Sequence, residues 1–161
     1  MQLTEEENRE LNAILSDYAY NENVLKMKNF YQHGAVSTYD HVMNVTRMCF
    51  YLNRHKNLHL NEKDIVVGAF LHDFYLYDWH AKDNNVHRLH GFRHPFFAAR
   101  NAVKIFGVNK RVRNIILSHM WPLTPLSFPK SREAFLVSLV DKHCSLLETL
   151  FQRRRVQPIC T

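Results

Sequence analysis

The segment Ile65-Val66-Val67-Gly68-Ala69-Phe70-Leu71-His72-Asp73 ends an apolar run with two side chains that can bind a metal ion. Helical spacing places His72 on the same stripe as Ile65 and Ala69, and it places Asp73 one turn after Ala69. Both polar side chains are therefore expected to face the protein interior. A buried carboxylate without a partner is strongly disfavoured or takes up a proton, and a cation bound by other parts of the chain removes this penalty.

The composition predicts one domain with an anionic partner. A chain of 161 residues is long enough to bury a single core without disulfide staples. Lysine and arginine total 21 against 15 aspartates and glutamates, which gives a net charge of +6 with neutral histidines. This excess favours nucleotides, phosphate esters or nucleic acid as partners. The chain also contains 11 histidines, so imidazole is an abundant potential ligand.

The cysteines and the hydropathy pattern predict a cytoplasmic protein. Cys49, Cys144 and Cys160 are odd in number and widely separated, so they indicate neither a disulfide framework nor a zinc knuckle. The chain starts with an acidic, polar segment, and no apolar run approaches the ~18 residues of a transmembrane helix. We therefore expect neither a signal peptide nor a membrane span.

Capping and stop signals predict an all-α fold of six to seven helices. The predicted N-caps are Thr4, Ser37 or Thr38, Asn61, Asn109 and Ser131. The predicted helices cover about 4–20, 23–32, 37–54, 61–73, 94–107, 109–121 and 131–150. Pro95 is expected in the first turn of the helix that begins at His94, where its missing N–H is tolerated. Residues 74–93 lack a helical period and predict a long loop that shapes a binding site.

Six polar residues on inward-facing stripes or helix ends are candidate metal ligands. They are His41, His72, Asp73, His94, His119 and Asp141. Four histidines and two aspartates suit Mn, Fe, Co, Ni, Zn or Mg, and they exceed the four ligands of one tetrahedral zinc. Two divalent metal ions about 3.5–4 Å apart, bridged by one carboxylate, explain the set better. His87 and His90, in the predicted loop, can also reach this site but are expected to be exposed.

The order of these residues resembles the HD-domain superfamily of metal-dependent phosphohydrolases. The resemblance covers about residues 36–150, and its best segments are Thr38-Tyr39-Asp40-His41-Val42, Phe70-Leu71-His72-Asp73, Gly91-Phe92-Arg93-His94-Pro95 and Leu139-Val140-Asp141-Lys142. It implies a helical bundle with the His-Asp pair at its centre. Together with the chain length, it predicts one HD-like domain over residues 1–161 with its core at about 36–150, and the sequence adds N-terminal helices at 4–32 and a basic tail at 151–161.

The resemblance also implies how the six residues share the metal ions. One ion would be held by His41, His72, Asp73 and Asp141. His94 and His119 would complete a second site, with Asp73 as the bridge, as in the binuclear branches of the superfamily.

One departure from the superfamily concerns phosphate binding. Many binuclear members carry a lysine in a His-Asp-x-Gly-Lys motif, whereas this chain continues as Phe74-Tyr75-Leu76. Arg93, Arg88 and Lys142 lie near ligand positions and are candidates to replace that lysine, although a solvated loop face also explains the two arginines. Together with Asp73, these three are the predicted catalytic residues.

These patterns predict a metal-dependent phosphohydrolase, either a phosphomonoesterase or a phosphodiesterase, for a nucleotide or a similar small phosphate ester. Two alternatives stay open. Some superfamily members use the same ligands to hold two irons and activate dioxygen, and an inert site would make the protein a metal or nucleotide sensor. The expected partner is a small anion, and no membrane is expected. Nucleic acid is not expected either, since no aromatic residues interleave with Arg153–Arg155. The oligomeric state stays open.

Overall fold

Seven α-helices and one small sheet form the residues that the computed structural model describes, which are 2–33, 36–78 and 89–155. The helices are α1 (Glu5–Ala19), α2 (Glu22–Leu25), α3 (Thr38–His55), α4 (Glu62–Leu71), α5 (His90–Phe106), α6 (Lys110–Ser118) and α7 (Arg132–Arg155). The strands β1 (Tyr31–His33) and β2 (Val36–Ser37) pair antiparallel. The prediction of an all-α helical bundle is confirmed. In the described ranges, no helix has both the length and the apolar character to cross a membrane.

The helix starts follow the capping signals of the sequence. Thr4 and Glu7 form a reciprocal capping box, in which the backbone N–H of each residue donates to the side chain of the other. Ser37, Asn61 and Asn109 each accept a hydrogen bond from the backbone N–H three residues later. These bonds satisfy N–H groups that the first turn of a helix leaves without a partner, so the predicted starts are confirmed.

The predicted helix at 23–32 ends earlier in the structure. After α2 the chain forms a 3₁₀ helix at Lys26–Asn29, and Phe30 is extended, with φ −108° and ψ 131°. The carbonyl of Phe30 accepts a 2.7 Å hydrogen bond from the backbone N–H of Thr38, which brings β1 and β2 together. Aromatic residues such as Phe30 and Tyr31 favour strands when a partner is available, and here β2 provides one.

The start of α5 also differs from the prediction. The helix begins at His90 rather than His94, so Pro95 is its sixth residue and lies inside the helix. Leu89 precedes it in the left-handed region at φ 65°, and the backbone N–H of Arg93 donates to the carbonyl of Leu89 at 3.1 Å. This extra turn was not predicted because its four residues, His-Gly-Phe-Arg, carry no apolar stripe.

Helix α4 lies at the centre of the molecule. All its residues from Asp64 to Leu71 are buried, which explains why its sequence is almost uniformly apolar. It packs against α3, α6 and α7, and a Cβ added at Gly68 would lie 2.7 Å from Cγ2 of Ile115. Glycine at this position therefore allows α4 and α6 to approach closely, and both helices end at residues of the candidate site.

Candidate metal centre

Five helices or helix ends bring the six predicted ligands into one buried cluster. His41 comes from α3, His72 caps the C-terminal end of α4 with Asp73 directly after it, and His94 comes from α5. His119 caps the C-terminal end of α6, and Asp141 lies in α7. All six are buried, and Asp141 has the highest exposure at 6%.

The four histidines share one orientation. Nδ1 of His72, His94 and His119 lies 2.7–2.9 Å from a backbone carbonyl oxygen; the acceptors are Ala69, His90 and Ile116. Nδ1 of His41 lies 2.8 Å from Oε2 of Glu148. Carbonyl and carboxylate oxygens only accept, so Nδ1 carries the hydrogen in each ring. The neutral form of each ring then presents a lone pair on Nε2, and Nε2 is the atom that faces the cluster.

Asp73 divides the donor atoms into two sets. Its Oδ1 lies 3.1 Å from Nε2 of His94 and 3.5 Å from Nε2 of His119. Its Oδ2 lies 3.4 Å from Nε2 of His72 and 3.9 Å from Nε2 of His41. The set that contains His41 and His72 also includes Asp141, whose Oδ1 lies 3.1 Å from Nε2 of His41 and 3.5 Å from Nε2 of His72. One carboxylate therefore separates two groups of nitrogen donors.

The donor set fits a divalent cation. Nε2 of His94 and Nε2 of His119 lie only 2.8 Å apart, although both present lone pairs when the rings are neutral. Among the described residues, Nε2 of His72 is buried and makes no hydrogen bond. Two facing lone pairs and a buried nitrogen without a hydrogen bond are unfavourable unless a proton or a metal ion is bound there. The sequence prediction of divalent metal binding agrees with this geometry.

The electrostatics of the cluster favour ionised carboxylates. Burial raises the pKa of Asp73, but the charges of His72 and His94 outweigh it and hold this pKa well below its usual range. Burial lowers the pKa of His41, but hydrogen bonds to Asp141 and Glu148 outweigh it and raise this pKa to about 9. Burial and the nearby charges of His72 and His94 lower the pKa of His119 to about 3. A bound cation would replace the proton on Nε2 of His41.

A cavity of about 510 Å³ opens beside the cluster. Met120, Leu123 and Gly91 form its apolar wall, and Lys142 is the cation that borders it among the described residues. Its full lining is Asp73, His90, Gly91, His94, His119, Met120, Leu123, Asp141, Lys142 and Ser145. The cavity therefore gives a small molecule access to both donor sets.

Lys142, one of the predicted catalytic residues, uses its ammonium group to join two helices. Nζ donates to the carbonyl oxygen of His119 at 2.7 Å, to the carbonyl oxygen of Ser138 at 3.1 Å and to Oγ of Ser138 at 3.0 Å. A lysine ammonium has three N–H donors, so all three are used. Lys142 must give up one of these bonds to contact a phosphate.

Arg93, one of the two predicted catalytic arginines, does not border the cavity. Arg93 is on the exposed face of α5, with its guanidinium carbon 5.6 Å from the ring centroid of Phe97. Arg88 lies outside the described residues, as does His87. Their roles in phosphate binding stay predictions.

Two residues of the site were not predicted. His90 borders the cavity, stacks on His94 with ring centroids 4.6 Å apart, and its Nδ1 lies 2.9 Å from the hydroxyl of Tyr77. It was expected to be exposed in a loop, and the early start of α5 places it one turn before His94 instead. Glu148 follows Asp141 by seven residues, so helical spacing alone puts both carboxylates on one face of α7.

A family model described as the HD domain matches residues 38–145 of the chain. The match begins at the first residue of α3 and covers about two thirds of the chain, including all six residues of the cluster. Comparison with curated proteins and with solved structures gave no significant match.

Proposed function

The chain belongs to the HD-domain family, and we propose that it is a phosphohydrolase for a nucleotide or a similar small phosphate ester. Membership of this family implies a metal-dependent, hydrolase-like superfamily. The observation that carries this proposal is the arrangement of Asp73, whose two carboxylate oxygens face two different sets of histidines. A carboxylate in that position suits a binuclear centre, because it can bind one ion with each oxygen.

In this proposal each donor set holds one divalent ion and Asp73 belongs to both. The first set is His41, His72 and Asp141, and the second is His94 and His119. Divalent ions held there would polarise phosphoryl oxygens and would make a water molecule nucleophilic near neutral pH. The protein contributes orientation, because each histidine is fixed through Nδ1 and Lys142 ties the carbonyl of His119 to α7.

The cavity supports a substrate with one phosphate end and one less polar end. Its inner side is the cluster of donors, and its outer wall carries Met120 and Leu123. A nucleobase or a similar ring can pack on such a wall while the phosphate faces the metals. We propose Arg93 and Arg88 as the cations that contact the remaining phosphate oxygens, since the three donors of Lys142 are already used.

Metal analysis followed by a substrate screen tests this function. Protein purified without chelator should contain divalent metal, and phosphomonoesters and phosphodiesters should be tested with Mn, Co, Ni and Mg. Asp73→Asn should reduce turnover by at least about 10²-fold, since it removes the shared carboxylate charge. The control Asp17→Asn, on the exposed face of α1, should match the parent. A protein that binds metal yet hydrolyses no ester would be better described as a sensor.

Oxygenase chemistry is the second candidate. The same four histidines and two aspartates suit two irons. Among the described residues, Lys142 is the cation that borders the cavity, and its three N–H donors are already used. Because no donor is left for a phosphate, oxygenase chemistry stays a candidate. Iron as the main bound metal, together with turnover that requires dioxygen, would select oxygenase chemistry over hydrolysis.

A further inference from the structure

Glu148 connects α7 to α3 behind one of the proposed metal ligands. Its Oε2 accepts a 2.8 Å hydrogen bond from Nδ1 of His41, and its Oε1 accepts a 3.0 Å hydrogen bond from Nδ2 of Asn44. The Glu148 side chain is only 10% exposed, and the His41 side chain is fully buried. The carboxylate therefore lies on the side of the ring opposite Nε2, which faces Asp141 at 3.1 Å.

His41 differs from the other three histidines in the charge of this acceptor. His72, His94 and His119 donate to neutral backbone carbonyls, whereas His41 donates to a carboxylate. A carboxylate behind a metal-binding histidine fixes the ring orientation and the tautomer, and it raises the basicity of the nitrogen that binds the metal. Charge-assisted hydrogen bonds of this kind are stronger than neutral ones.

We propose that Glu148 is a positioning residue that makes the donor set of His41, His72 and Asp141 the tighter of the two metal-binding sets. This inference rests on the metal site of the proposed function. The set with Glu148 contains its own carboxylate, Asp141, and receives a further negative charge through His41. The set of His94 and His119 has only its share of Asp73 among the described residues.

The test compares Glu148→Gln and Glu148→Ala with the parent protein. Glutamine keeps an oxygen that accepts from Nδ1 of His41, and its amide can pair with Asn44 if the Asn44 amide turns over, so the fold should be preserved. Alanine removes both the acceptor and the charge. Glu6→Gln is the matched control, because Glu6 is exposed on α1, far along the chain from the cluster.

Calorimetric titration of the chelator-treated full chain with Mn²⁺ gives the readout. We expect the tighter binding event to weaken by about 10- to 100-fold in Glu148→Ala and by less in Glu148→Gln, while the weaker event changes by less than about threefold. Co²⁺ absorption should show a changed spectrum for the tighter site only. A purely structural role would weaken both events together and lower the melting temperature without this selectivity.

The outcomes separate this inference from the proposed function. A parent chain that binds no divalent metal overturns both. A parent that binds metal, with Glu148 variants that bind it equally well or lose both events to the same extent, overturns only the role of Glu148. If Glu148→Ala does not fold, Glu148→Gln still decides the point, since unchanged affinity in that variant would rule out a role for the carboxylate charge.

Discussion

Replacing Gly68 with alanine should push α4 away from α6 and weaken the metal centre. The added Cβ would lie 2.7 Å from Cγ2 and 2.8 Å from Cδ1 of Ile115, whereas ordinary contact begins at 3.4 Å. The two helices must therefore separate by roughly 0.7 Å, or Ile115 must leave its rotamer. His72 follows Gly68 by four residues and His119 follows Ile115 by four, so the contact lies one turn before both rings.

The expected effect on stability is the sum of two opposing contributions. Overpacking of this size costs about 1–3 kcal/mol, and replacing a helical glycine with alanine returns up to about 1 kcal/mol. The net loss is about 0–3 kcal/mol, which lowers the melting temperature by up to roughly 12 °C for a chain of this length. The affinity for metal should be affected more than the stability, because a separation of the helices by roughly 0.7 Å exceeds the roughly 0.5 Å tolerance of a binding site. We expect at least about a tenfold loss of metal affinity.

Thermal unfolding and calorimetric metal titration of the full chain measure both effects. In the double variant with Ile115→Ala, Cγ2 and Cδ1 are absent and Cβ of residue 115 still lies 3.0 Å from the added Cβ, so metal affinity should recover in part relative to Gly68→Ala. The single variant Ile115→Ala provides the control for the cavity that this change creates. A Gly68→Ala protein that melts at the parent temperature and binds metal with the parent affinity would refute the view that this contact sets the spacing of His72 and His119.

Three further predictions concern metal, phosphate and pH. Removal of metal with a chelator should lower the melting temperature, because ligands from five helical elements lose their partner, and an unchanged melting curve after confirmed metal loss would mean a peripheral site. Arg93→Ala should keep its metal and lose about 10²- to 10³-fold in turnover. The control is Arg100→Ala, since the guanidinium of Arg100 lies 5.5 Å from the same Phe97 ring. If the turnover of Arg93→Ala stays within about threefold of the parent, Arg93 does not contact the phosphate. The pKa of His41 is raised to about 9 and that of His72 is raised as well, so metal must displace protons from this donor set at neutral pH, and affinity should rise at least about tenfold per pH unit toward pH 9. A dissociation constant that is flat between pH 7 and 9 would contradict this.

The helix starts were predictable because capping is a local interaction. Ser37, Asn61 and Asn109 bond to backbone groups three residues away, so the sequence alone contains both partners. The six candidate ligands were predictable for a related reason. A histidine or aspartate that continues an apolar stripe must be buried with its helix, and that follows from spacing.

Features that depend on distant parts of the chain were not predictable in the same way. The predicted helix at 23–32 ended early because its last residues pair with β2. Lys142 and Glu148 bond to residues of other helices, His119 and His41. These partners are far away in the sequence, so a local pattern does not predict the contacts. Even so, the spacing of seven between Asp141 and Glu148 gave a usable signal for two carboxylates on one face.

Helices α4 and α6 both end at a histidine of the site and hold it in the same way, and this explains why Gly68 affects the geometry of the site. Each ends in a histidine whose Nδ1 lies 2.7 Å from the carbonyl three residues earlier, so each directs Nε2 past its own C-terminal end. The C-terminal end of a helix carries partial negative charge, which stabilises a nearby cation. Two such ends can share one centre only if the helices run close together, and the rings of His72 and His119 have centroids 4.8 Å apart. Gly68 supplies the close approach, so the packing of the core and the spacing of the ligands are set by the same contact.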